Sequence, residues 1–187
     1  MDERYEVYCL TDPDFYDTPS QIRSEELDFE LARCPVPAGW SRAEAEDWVI
    51  YHPDGAELPP QGWKIHVSTC LEEASEVLQK VWDYCRPRRI PFKFLLGRQV
   101  LLLANVKYAD RSSSGKFITL YPADEQQLET VLTELGRILE GHHGPYILSD
   151  LRWGKGPLYV RYGGSPNGTV SPPPERWFRR SRHPTGS

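Results

Sequence analysis

The sequence predicts an α+β domain with a mostly antiparallel sheet and two principal helices. Short segments alternate apolar and polar residues with the two-residue period of half-buried strands. Two longer segments carry apolar residues at helical spacing. The length of 187 residues suits one domain with a sizeable core.

Residues 5–10 read as a short strand before the turn signal Thr11-Asp12-Pro13-Asp14, and residues 24–33 as a helix or an ordered loop. Residues 48–51 form a strand closed by His52-Pro53-Asp54-Gly55, where His52 has no ligand-spaced partner. Residues 62–68 are the clearest strand: Trp63, Ile65 and Val67 face one way, and Lys64, His66 and Ser68 the other. Thr69 and Glu72 then predict a capping box, followed by the stripe Leu71, Ala74, Val77, Leu78, Val81, Trp82 and Cys85. That helix stops at Arg86-Pro87-Arg88-Arg89, a basic cluster suited to the helix dipole.

Residues 91–97 form the next strand, with Lys93 opposite Phe92, Phe94 and Leu96. Residues 99–104 are a nearly continuous apolar run, expected to be a strand covered on both faces. Residues 105–116 gather three cations, three serines and Gly115, an inventory suited to an oxyanion, but Phe117 after Lys116 rules out a Walker A loop. Residues 117–121 are a strand. A second helix starts at an Asp124 cap, carries Leu128, Val131, Leu132, Leu135 and Ile138, and ends at Gly141, leaving His142 and His143 near its dipole. Residues 146–148, running into 149–153, and residues 157–162 are the closing strands.

Composition narrows the function. The net charge of −5 divides unevenly: residues 1–60 hold 15 acids and 4 bases (−11), residues 61–162 hold 11 and 14 (+3), and residues 163–187 hold 1 and 4 (+3). An acidic first third disfavours a nucleic-acid partner, and a mildly basic middle favours a focused anion site. No run approaches the ~20 apolar residues of a membrane span, and the charged N-terminus lacks a secretory signal, so no membrane partner is expected. Cys9, Cys34, Cys70 and Cys85 show neither zinc spacing nor pairing, with Cys70 and Cys85 placed on a helix core face. They read as reduced thiols in a cytoplasmic protein, with no metal and no cofactor.

The polar strand faces and the 105–116 loop bring forward Lys64, His66, Lys93, Lys107, Arg111, Lys116, Arg152 and Arg161. No Asp or Glu is interleaved with them at catalytic spacing, and no Ser-His-Asp pattern stands out. Such a set suits a phosphate substrate and proton transfer without a metal.

These segments, together with Gly144-Pro145-Tyr146-Ile147-Leu148-Ser149-Asp150-Leu151-Arg152-Trp153, resemble the N-terminal lyase domain of class III lanthipeptide synthetases. The resemblance covers residues 4–162 and extends to the phosphothreonine lyases used as bacterial effectors. It implies a phosphothreonine-lyase-like fold over residues 1–162, while the Gly, Pro, Ser and Arg composition of residues 163–187, without periodicity, reads as a poorly structured basic tail. It implies elimination of phosphate from phosphoserine or phosphothreonine in a precursor peptide, with Lys93 as base and His66 as acid. Lys64, Arg111, Arg152 and Arg161 would hold phosphate, joined by Lys107 and Lys116, with Tyr108 in support. The implied partners are the precursor's leader and core, and kinase and cyclase domains or separate proteins. A non-catalytic module that binds the precursor is the alternative.

Overall fold

The computed structural model describes residues 28–45, 47–105 and 114–164. The expected strand at 5–10, most of the 105–116 loop and nearly all of the tail lie outside these residues. Seven strands form one sheet: β1 (Trp40–Ala45), β2 (Trp48–Pro53), β3 (Gln61–Val67), β4 (Phe92–Leu95), β5 (Ile118–Leu120), β6 (Leu151–Arg152) and β7 (Leu158–Gly164). Their order is β1-β2-β4-β5-β3-β7-β6, and every pairing is antiparallel. The described helices are α1 (Glu30–Arg33), α2 (Ala74–Arg88), α3 (Arg98–Asn105) and α4 (Glu125–Ile138).

One face of the sheet is the core. Val49 and Tyr51, Phe92 and Phe94, Ile118 and Leu120, Ile65 and Val67, and Leu158 and Val160 are buried strand by strand. Over them lie Val77, Leu78, Val81 and Cys85 of α2 and Leu128, Val131, Leu132 and Leu135 of α4. Tyr51 joins strand to helix: its ring meets Trp82 edge-on at 4.8 Å and stacks on Phe92 at 5.7 Å, while its hydroxyl donates to the Leu31 carbonyl of α1. Fully burying side chains of this size contributes roughly 1.5–3 kcal/mol each, so the helical face anchors the sheet and frees the opposite face for other work.

The structure corrects four local expectations. Residues 99–104 belong to helix α3, because a nearly continuous apolar run this short fits a strand or a buried helix equally and shows no period. The capping box does not form: Thr69 donates to the Cys70 carbonyl, and α2 starts at Ala74 without a side-chain cap. Cys70 is accordingly exposed ahead of the helix, while Cys85 is fully buried within it. Residues 146–148 are not a strand, and only Leu151–Arg152 pairs with β7. Strand β1 was not foreseen, since its mostly exposed sequence WSRAEA lacks an apolar face. Asp124 does cap α4, accepting from the Gln127 amide at 2.8 Å.

The segment 142–150 replaces the expected strand and is pinned to the start of α2. The Ser68 hydroxyl donates to the Pro145 carbonyl at 2.6 Å, and the Cys70 amide to the His143 carbonyl at 3.0 Å. Gly144 lies so close to this turn that a Cβ there would sit 2.4 Å from the Thr69 nitrogen and 2.5 Å from the Ser68 carbonyl carbon. Gly144→Ala therefore forces backbone apart and is expected to cost about 2 kcal/mol. Urea unfolding measures it, and an unchanged midpoint would show that the two segments separate freely.

Candidate functional site

Antiparallel register converts separate alternations into one row. Ile50, Lys93, Thr119, His66, Tyr159 and Arg152 are successive cross-strand partners across β2, β4, β5, β3, β7 and β6. Lys93 and His66 thus flank the central strand β5, and at ~4.8 Å per strand their backbones stand about 10 Å apart. Two residues along β3, Lys64 pairs with Arg161, and the Lys64 ammonium lies 6.0 Å from the centre of the Tyr121 ring. The polar face of β3 is therefore joined by Lys93 from β4 and Arg161 from β7, as their alternation in the sequence suggested.

His66 is 5% exposed. Its Nδ1 is hydrogen-bonded to Oδ2 of Asp150, which leaves Nε2 as the nitrogen for another partner. The other Asp150 oxygen accepts from the Ser149 hydroxyl at 2.7 Å and lies 3.9 Å from the Lys116 ammonium. Burial pushes the His66 imidazole below its usual range, aided by the cations Lys116 and Lys64, while the Asp150 hydrogen bond and charge oppose the shift. Burial alone would raise the Asp150 carboxyl, but His66, Ser149 and Lys116 together hold it below the usual carboxylate range. Asp150 is thus an anion at neutral pH that fixes the ring and its tautomer.

The sequence reasoning missed Asp150. No acid stood at catalytic spacing, and none was needed there: Asp150 lies 84 positions from His66 and arrives through the pinned 142–150 segment. Lys116, weighed as a loop cation, is instead buried beside that carboxylate.

The remaining cations differ in freedom. Burial, then the Arg161 charge, lowers the Lys64 pKa, and its ammonium donates to the Gly164 carbonyl. The Lys93 ammonium stands 4.0 Å above the Trp48 ring, a cation–π contact that orients it over the sheet. Arg161 is exposed next to Lys64. Arg152 spends two donors on its own hairpin, at the Gly156 carbonyl (3.1 Å) and the Lys155 carbonyl (2.6 Å), and keeps a donor group for other contacts. Lys107, Tyr108 and Arg111 lie outside the described residues. Among the described residues no group of three or more His, Cys, Asp and Glu side chains could hold a metal ion. What the row can do is hold an anion among ammonium and guanidinium groups and move a proton at His66.

Residues 28–187 match the family described as the RamC N-terminal domain. The "Probable SapB synthase" of Streptomyces coelicolor is 49% identical over 168 residues. The match takes in 88% of this chain but 18% of that protein, so the chain spans less than a fifth of its relative's length. Two solved structures share the fold. The phosphothreonine lyase SpvC from Salmonella aligns with a TM-score of 0.51 and 17% identity, over 74% of this chain and 75% of its own. The effector and phosphothreonine lyase OspF from Shigella flexneri gives 0.50 and 17%, over 84% of each chain. The expected α+β, phosphothreonine-lyase-like fold is thereby established.

The His66–Asp150 contact has a direct readout. Asp150→Asn removes the groups that raise the His66 pKa and leaves burial and two nearby cations, so the imidazole should titrate at lower pH than in the unaltered protein. Nitrogen-detected NMR of the ring tests this; a titration that stays put or moves up would mean that Asp150 does not govern His66.

Proposed function

The chain belongs to the RamC N-terminal domain family, and we propose that it eliminates phosphate from phosphoserine or phosphothreonine in a lanthipeptide precursor. The product is dehydroalanine or dehydrobutyrine. The observation that carries this reading is the row itself: Lys93 and His66 on one sheet face, either side of β5, with His66 fixed from behind by Asp150.

In this mechanism Lys93 first gives its ammonium proton to solvent and then, as the neutral amine, takes the Cα proton of the phosphorylated residue. The electron pair of that C–H bond becomes the Cα=Cβ double bond as the Cβ–O bond breaks. The leaving phosphate takes a proton from Nε2 of His66, which neutralises charge as it develops. Asp150 acts as a positioning residue: it holds Nδ1 as donor and stabilises the imidazolium before proton transfer. Burial disfavours that imidazolium, and a phosphate dianion at Nε2 compensates for the lost hydration. Lys64 and Arg161 hold phosphate oxygens from adjacent strands, with Arg152 from the β6 edge. The family resemblance assigns Lys107, Arg111 and Tyr108 to the same anion, and Lys116 supports Asp150.

Protein cations supply all the charge that this step needs, so the reaction is metal-independent. The phosphorylated substrate must come from a kinase, and the dehydro residue passes to a cyclase. Both are domains of a longer protein, as the length of the Streptomyces relative suggests, or separate partners.

A phosphoserine peptide incubated with the protein and a chelator should lose phosphoric acid, read by mass spectrometry. Turnover that requires added divalent metal would overturn the mechanism. Lys93→Ala should lower kcat by at least about a thousandfold with peptide binding retained. If binding persists in the unaltered protein but no mass is lost, the domain is a precursor-binding module instead.

A further inference from the structure

We propose that Tyr146 and Leu148 form an apolar subsite that selects substrate peptides carrying a large apolar residue within two positions of the phosphorylated one. This deepens the lyase reading and rests on it for the location of the phosphorylated residue.

The described surface exposes six large hydrophobic side chains, and two of them, Tyr146 (55% exposed) and Leu148 (86%), stand two positions apart in the segment that ends at Asp150. Singly scattered exposed apolar groups need no explanation, and what sets this pair apart is its place beside the row. The pair is tied to the catalytic row at two points. The Tyr146 ring stands edge-on against Tyr159 at 5.3 Å, and Tyr159 is the cross-strand neighbour of His66. Leu148 precedes by two positions the carboxylate that holds His66. Leu151, by the alternation of β6, lies on the opposite face from Arg152, so the subsite comprises Tyr146 and Leu148.

The segment bearing both residues is held in place. Ser68 bonds the Pro145 carbonyl beside Tyr146, Ile147 is 1% exposed, and Asp150 is buried against His66. Tyr146 and Leu148 are therefore presented on a fixed turn, which lowers the ordering cost of a partner side chain. The occupant follows from the site's chemistry. A peptide held only by its phosphate can pivot about that group. A second, apolar contact beside the acid sets the direction of the chain over the row and aims the Cα–H bond at Lys93. Successive residues of an extended peptide advance roughly 3.5 Å, so one of the nearest neighbours reaches the rim formed by Tyr146 and Leu148.

The test uses two fluorescent phosphoserine peptides, one with Leu and one with Asn flanking the phosphoserine. Anisotropy gives binding and mass spectrometry gives elimination. The Leu peptide should bind about five- to tenfold more tightly and show a correspondingly lower KM at similar kcat. Leu148→Ser, at a position too exposed to disturb folding, should erase most of that advantage and leave the Asn peptide unchanged. Equal affinity for the two peptides, or a Leu148→Ser effect of the same size on both, overturns the subsite. Preference in binding without any elimination would sustain the subsite and sink the lyase reading, whereas elimination without preference would do the reverse.

Discussion

The contact between His66 and Asp150 joins the sheet to the 142–150 segment. His66 belongs to a central strand, fixed by pairing on both sides, while Asp150 closes a segment with no regular structure of its own. A buried imidazole alone would be a poor proton donor, and a buried carboxylate alone would tend to protonate. Together each permits the other, and Lys116 and Ser149 complete the set. The pinned turn at Gly144 and the Ser68 hydroxyl matter because they deliver Asp150 to that spot.

The sheet supplies the rest by register. A strand's alternation says which side chains share a face, but not which neighbours they acquire. Antiparallel pairing gives Lys93 and His66 the same level, with the short side chain of Thr119 between them. Moving β4 by one residue would turn Lys93 into the core and Phe92 or Phe94 outward. The aromatic packing of Tyr51, Phe92, Phe94 and Trp82 forbids that slip, so the apolar face fixes the geometry of the polar one.

Legibility tracked periodicity. Helices α2 and α4 were readable because their apolar stripes repeat over several turns, and Asp124 announced its cap. Helix α3 was misread because five apolar residues in a row, Val100 to Ala104, have no period to read. Strand β1 escaped notice because an exposed edge strand needs no apolar face. Lys64, His66, Lys93 and Arg161 were singled out from alternation, whereas Lys107, Tyr108 and Arg111 were chosen from a loop outside the described residues. Asp150 gave no local signal, since a partner 84 positions away is found only by folding the chain.

The sequence by itself determined the fold class, the two long helices, the faces of the principal strands and the cationic character of the site. Each of these follows from short-range patterns of burial and charge. The tertiary structure alone decided that Lys93 and His66 stand on one level, that Asp150 orients His66, and that Lys116 serves the carboxylate. Those relations depend on strand order and on a loop's path, which are set by packing over the whole core and not by any neighbouring residues in the chain.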